Sequence, residues 1–366
     1  MLFRRLHLVA ILAAVLVGPA AADNDDNDRA RINVHDHGAV CDGRHDDTFA
    51  FTRALQAVAS GGAIFVPSGK CVLTQTLIIS KPVTITGTGF ASQIYGNTDR
   101  TLFQFVNVNN AAVRDLYLGS RSSAIGISLI KLVNSHHNQI SNVTMLGGYY
   151  GVHLFGSLLN TFIDLRSGVN FGGFFGQTSK NTYWVFAERD HTHHISSNAN
   201  TFIAPSLEGG TYGIYLEDLP DPSCPGCIRN GEGSLQIIGG TIEGVSQTAL
   251  TLKATFLATS VTGVHFEANG ADVLIDNATN IRLASITSLG GPGGSGAIGI
   301  KLTGPFTRNI QISDSIVQQL TIDSGIKRIL LQNLTTDLQC SGTSGITPTT
   351  PSDPSIIYTN VGLNCT

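Results

Sequence analysis

The sequence predicts an all-β fold built as a parallel solenoid, on three observations. Strand signals from about residue 72 to residue 335 are short and punctuated by glycine. Asparagines recur along them at a near-constant interval. An amphipathic helix precedes them, suited to cover an apolar cross-section.

The repeat is the strongest of these. HNQISNVTMLGG, LNTFIDLRSGVN, KNTYWVFAERD and ANTFIAPSLEGG place Asn138, Asn160, Asn181 and Asn200 at intervals of 22, 21 and 19. TNIRLASITSL and RNIQISDSIVQ restart the pattern at Asn280 and Asn309. Each asparagine opens a short run of alternating apolar and polar residues, the mark of a strand with one buried face. A unit of about 20 residues cannot bury such a face alone and must stack on copies of itself. Asparagines at equivalent turns then form a ladder of side-chain amides.

The N-terminal segment DGRHDDTFAFTRALQAVASGG predicts a helix over about 47–59. Asp46 or Asp47 is the N-cap, Phe51, Leu55 and Val58 share one face, and Gly61 is the stop. Upstream, Arg4 and Arg5, the apolar run Leu6 to Val17 and the small residues Ala20–Ala22 have the order of a secretory signal peptide. The expected organisation is a signal peptide at 1–22 and an acidic linker at 23–31. A β-helix domain follows at 32–340, its N-terminal cap at about 32–61, and then a C-terminal tail or cap at 341–366. The mature chain is expected to be secreted or periplasmic, with no membrane span.

The 366 residues carry 22 Lys and Arg against 26 Asp and Glu, a net charge of −4. No overall basic balance suggests nucleic acid as a partner. Six cysteines, Cys41, Cys71, Cys224, Cys227, Cys340 and Cys365, fit an oxidising compartment. Six allow about fifteen connectivities, and neighbourhood favours Cys41–Cys71, Cys224–Cys227 and Cys340–Cys365. The CPGC stretch has no helix start to lower a thiol pKa. No metal-ligand spacing is evident.

The entry segments INVHDHGAVCDGRHDDTFAFTRAL and GGAIFVPSGKCVLTQTLIISKPVTITGTG resemble those of the pectate-lyase superfamily, the rhamnogalacturonase- or epimerase-like group. The resemblance is specific over about residues 32–90. It implies a single-stranded right-handed parallel β-helix (a pectin-lyase-like solenoid), a polysaccharide substrate, and adjacent strands carrying Cys41 and Cys71. The family's better-known catalytic patterns do not transfer. An NTD stands at 97–99 without the polygalacturonase elements that should follow it. Asp190–His191 lacks the acidic cluster of calcium-dependent lyases.

The repeat supplies its own candidates. Matching SLEGG, TIEGV and HFEAN stacks Glu208, Glu243 and Glu267 on successive coils, between Arg189 on the coil before and Ser288 after. Three carboxylates about 4.8 Å apart repel, so one is expected to keep its proton. An acid beside a carboxylate is what glycoside hydrolysis requires. Glu208, Glu243 and Glu267 are therefore the candidate catalytic residues. Arg189, Glu188, His191, Tyr212 and Tyr215 are candidate substrate contacts, since arginine forks and aromatic faces bind uronic carboxylates and sugar rings. The loop 218–233 is expected to wall one side of the groove.

Three functions remain open. The first is a glycoside hydrolase acting on an acidic or rhamnose-containing polysaccharide, without cofactor. The second is a polysaccharide lyase in which Arg189 or a histidine of the 191–194 cluster abstracts a proton, with Ca²⁺ as a possible aid. The third is a non-catalytic glycan-binding or surface solenoid.

Overall fold

The computed structural model describes residues 31–167, 182–218, 233–289, 298–323, 326–336, 356–359 and 362–363. The signal peptide, most of the 218–233 loop, and Cys224, Cys227, Cys340 and Cys365 lie outside them. Among the described residues every strand-to-strand ladder is parallel and joins a strand to its counterpart one coil away, the isolated antiparallel bridge Asp190–Ile195 lying outside the strands. A ten-stranded sheet runs from Leu77–Ile79 to Leu320–Ile322, and a 21-stranded sheet forms the rest of the wall.

The larger sheet is bent lengthwise. Long strands such as Gln139–Leu146 and Thr161–Ser167 each carry one residue in left-handed conformation, here Asn142 at φ 50° and Asp164 at φ 53°. Asparagine and aspartate tolerate that conformation best among residues with a side chain. They also bond along the stack: Asn142 Nδ2 donates to Asp115 Oδ1 at 2.6 Å, and Asn333 Nδ2 to Asp314 Oδ1 at 2.7 Å. Inside the coils runs one core of Ile, Leu, Val and Phe, with Phe162 stacked on Phe202 at 4.6 Å between ring centroids.

The asparagine ladder is present, with two corrections, the first being that Asn280 and Asn309 lie one register position outside it and bond to each other at 2.9 Å. Asn138 Nδ2 donates to Asn160 Oδ1, and Asn160 Nδ2 to Asn200 Oδ1, each at 3.1 Å and fully buried. The ladder passes straight from 160 to 200. Strand Tyr183–Glu188, which the spacing had placed in this series through Asn181, belongs to the ten-stranded sheet instead. Asn-Thr-aromatic openings look alike on every face of a coil, so local pattern alone cannot assign the face.

The helix spans Thr48–Ala57 and buries Ala50, Phe51, Ala54 and Leu55. It contacts Leu77–Ile79, the first strand of the ten-stranded sheet. The two acids before it divide the work. Asp46 Oδ1 accepts from Thr48 N at 3.0 Å. Asp47 is buried and accepts from the backbone of Val40, Cys41 and Val72, tying the first coil together. Cys41 and Cys71 form a disulfide across 30 residues of chain. In the tail, Ile356–Thr359 and Gly362–Leu363 add parallel strands to Lys327–Thr336.

Candidate functional site

The outer face of the ten-stranded sheet is unlike the rest of the surface. In Tyr212–Glu217, Ile214 and Leu216 point into the core while Tyr212, Tyr215 and Glu217 are half-exposed. Parallel register repeats these three positions on the preceding coils, where the middle one, Phe186 and then His153, is buried by its neighbours. Tyr150, Tyr183 and Tyr212 form one column, His153, Phe186 and Tyr215 a second, and Phe155, Glu188 and Glu217 a third. Tyr183 and Tyr212 stack at 4.7 Å with 12° between planes, and Tyr150 stacks on Phe186 at 5.1 Å. Burial pushes the phenols of Tyr183 and Tyr215 up to about 12, so both keep a donating O–H across the physiological range. The result is a rigid aromatic platform with hydroxyl tips.

The third column continues as a charged row. Glu188, Glu217, Lys253 and Asp276 occupy successive rungs. His153 Nε2 lies 2.8 Å from Glu188 Oε1. Burial outweighs Glu188 and holds the imidazole below its ordinary pKa, so the ring is neutral and Nε2–H donates. Lys253 Nζ lies 2.6 Å from Glu217 Oε1. Burial pushes the Asp276 carboxyl up, against the pull of Lys253 and with the push of Glu217. Beyond the tyrosines the face opens into a hollow of about 330 Å³, lined by Gln247, Thr248, Ala271, Leu274, Ile298 and Lys301.

The glutamates named from the repeat stack in register. Glu208 pairs with Glu243, and Glu243 with Glu267, at the ends of three short strands. Gly209 and Gly244 follow them with φ of 69° and 64°, and Gly209 N donates to Glu243 O at 2.9 Å. Trp184, the one tryptophan, buries its ring under this turn and donates to Gly209 O at 2.7 Å. Only the turn Gly209–Thr211 separates Glu208 from Tyr212, so the glutamates border the tyrosine edge of the aromatic face. Glu267 lies 3.0 Å from His265 Nε2. The next rung is Leu289 rather than Ser288, whose register partner is Phe266.

Arg189 is not in that column. It follows the strand Tyr183–Glu188 on the other side of the coil, where its guanidinium lies 3.6 Å from buried Asp218 and donates to Ser196 at 3.0 Å. Asp218 also accepts from Gly233 N, so the pair ties the base of the 218–233 segment. His191 sits in the turn that Asp190 and Ile195 close by two backbone hydrogen bonds. Asp190 is buried. Desolvation pushes its carboxyl up, but bonds from His193, Asn134 and Thr192 prevail and hold it below the usual range. Among the described residues one cluster has metal-ligand spacing, Cys41, Asp47 and Cys71, and its two sulfurs are already joined.

Of the residues named from sequence, Glu188, Tyr212 and Tyr215 share the aromatic face. Glu208, Glu243 and Glu267 share its border, and Arg189 and His191 lie in the turn beyond Glu188. Sequence reasoning missed Tyr150, His153, Tyr183, Phe186, Glu217, Lys253 and Asp276. Their signal was a second repeat, YGVHLF, YWVFAE, YGIYLE, TALTLK and ADVLID, offset from the asparagine one.

Stacked parallel coils with an elaborated outer face define the class: the chain is a right-handed parallel β-helix protein. More particularly, residues 31–147 match the family described as rhamnogalacturonase A/epimerase, pectate lyase-like. No curated protein matches. Among solved structures, the catalytic domain of Agl-KA is similar with a TM-score of 0.62 at 16% identity, over 88% of this chain and 60% of that one. The surface adhesin PfbA of Streptococcus pneumoniae gives 0.60 at 12% identity, over 84% and 90%. The A-module of an Azotobacter vinelandii mannuronan C-5 epimerase gives 0.57 at 13%, over 91% and 98%. At such identities the likeness is one of fold. Among the described residues, no helix is long and apolar enough to cross a membrane.

Proposed function

We propose that the protein is a secreted glycoside hydrolase that holds a polysaccharide along the ten-stranded face and cleaves it between Glu217 and Asp276. The observation that carries this is the pair of carboxylates in opposed environments on one aromatic-lined surface. Asp276, whose carboxyl burial pushes up, is suited to hold a proton. Glu217 is ion-paired with Lys253 at 2.6 Å and is the candidate base. Environments that differ in this way assign an acid and a base. The two strands are two rungs apart, about 9.6 Å, near the upper end of the inverting range.

In this mechanism Tyr150, Tyr183 and Tyr212 stack sugar rings and fix the chain along the face. Asp276 gives its proton to the glycosidic oxygen as the bond to the anomeric carbon breaks. A water held by Glu217 attacks that carbon from the opposite side and gives its proton to Glu217. Glu188, held by His153, is suited to bind a sugar hydroxyl beside the base. Glu208, Glu243 and Glu267 are assigned to the rim, where they accept hydrogen bonds from hydroxyls of the same glycan.

The elimination alternative has less support, because the guanidinium of Arg189 is engaged by Asp218 and Ser196. Incubation with a panel of acidic and rhamnose-containing polysaccharides tests the proposal. New reducing ends of inverted anomeric configuration are expected. An ultraviolet-absorbing unsaturated product would mean a lyase, and binding without any product would mean a surface solenoid.

A further inference from the structure

A second surface on the same solenoid carries charge of one sign. Arg282, Arg308, Lys327 and Arg328 are all exposed and lie on three successive strands of the larger sheet, Thr279–Ala284, Arg308–Val317 and Lys327–Thr336. Arg308 and Lys327 are register partners, one cation directly above the other. Arg282 stands on the neighbouring rung, opposite Gln311. Arg328 occupies the left-handed position that Asn280 and Asn309 hold on the two coils before, with φ of 59° against 61° and 56°. Those asparagines are bonded to each other at 2.9 Å, and the next rung carries a guanidinium in their place.

None of the four cations has a carboxylate partner among the described residues. That is unusual in a chain whose acids outnumber its bases by 26 to 22. Like charges stacked on adjacent rungs destabilise a sheet. An arginine in left-handed conformation adds a backbone cost. No described carboxylate offsets the repulsion between these charges, whereas an external polyanion would. Arg308 and Lys327 stand one rung apart, with Arg328 beside Lys327 and Arg282 three residues along its strand from their column, so the patch can meet more than one negative group of a linear polymer. Arginine forks favour planar carboxylates over a diffuse negative potential.

We infer that this patch is a second polysaccharide-binding surface, specific for a carboxylate-bearing polymer and separate from the aromatic face. Asp276 ends one strand of the ten-stranded sheet and Asp323 follows another, Leu320–Ile322, and Thr279 and Lys327 begin the next strands only a few residues later. A polymer held on the patch is thereby kept close to the acidic row. The inference does not depend on hydrolysis, because it concerns binding alone.

The test is affinity electrophoresis of the full-length mature protein in gels containing polygalacturonate, dextran or neither. Retardation by polygalacturonate and not by dextran is expected, weakening as salt rises. The triple variant Arg308→Ser, Lys327→Ser, Arg328→Ser should bind at least about tenfold more weakly, a loss of about 1.4 kcal/mol, and unfold at a higher temperature. The single variant Arg308→Glu should lose most of the retardation as well, and serves if the triple variant does not fold. Asp276→Asn should be retarded like the wild type, which separates this surface from the proposed active site. Unchanged retardation of both patch variants would overturn the inference. Equal retardation by duplex DNA would overturn the carboxylate specificity and leave a surface that reads charge alone.

Discussion

Lys253 stands one rung above Glu217 in the ten-stranded sheet, with its ammonium 2.6 Å from the Glu217 carboxylate, and Asp276 is the next rung on. The cation between the two carboxylates is ion-paired with the base, and its pull on the acid is outweighed by burial. Replacing Asp276 by Asn, or Glu217 by Gln, should lower kcat at least about a hundredfold, the scale of general acid–base catalysis. Steady-state kinetics on the best substrate of the panel checks this. Wild-type kcat in either variant removes that residue from the mechanism.

The raised carboxyl of Asp276 also predicts how stability depends on pH. The folded state binds this proton more tightly than the unfolded chain does. The contribution is fully present below the ordinary aspartate range and is lost as pH rises through the higher folded value. Asp276→Asn should therefore unfold at a higher temperature than the wild type near neutrality, with the difference shrinking at acidic pH. Thermal unfolding of both proteins from acid to neutral pH measures it, and a difference independent of pH contradicts the assignment.

For the glutamate border, Glu243 is the informative position because it has a carboxylate on both neighbouring rungs. Glu243→Gln removes two like-charge contacts, each worth about 0.2–1 kcal/mol when directly opposed, so stability should rise slightly. A rim role predicts a KM several times higher with kcat little changed. A hundredfold fall in kcat would instead move the chemistry to Glu208, Glu243 and Glu267.

Stacking on the tyrosines should contribute about 0.5–1.5 kcal/mol per ring beyond the area it buries. Tyr212→Ala is expected to raise KM up to about tenfold, and Tyr212→Phe to restore most of it if the ring rather than the hydroxyl makes the contact. Trp184 lies under the turn joining Glu208 to Tyr212, so its fluorescence should report glycan binding in wild type and lose that response in Tyr212→Ala.

At the N-terminal end, the Cys41–Cys71 bridge closes 30 residues. Replacing both by serine should cost about 3–4 kcal/mol by the loop-entropy relation. Asp47→Ala strips the backbone amides of Val40, Cys41 and Val72 of one shared buried acceptor, each loss costing about 1–3 kcal/mol. Chemical denaturation should show both variants destabilised, with Asp47→Ala at least as severe.

Sequence alone determined the solenoid, because its physics is local and repeated. Asn138, Asn160 and Asn200 each open a strand whose apolar face is useless without a neighbour, and the period between them states how the neighbours stack. The same periodicity aligned Glu208 with Glu243 and Glu267, three residues in like surroundings on consecutive coils. What it could not determine was which wall of the coil a strand builds. Strand Tyr183–Glu188 has the opening of an asparagine-ladder strand, yet tertiary packing puts it beside Tyr150–Phe155 and Tyr212–Glu217. That choice removed Arg189 from the glutamates and gave it to Asp218. It also gathered seven aromatic and charged side chains from five coils onto one face. Those residues are far apart in the chain and acquire a common surface only when the coils close, because parallel register turns a spacing along the sequence into a column about 4.8 Å per rung. The pKa of Asp276 was equally out of reach, since burial and the Lys253 ammonium exist only once the stack has formed.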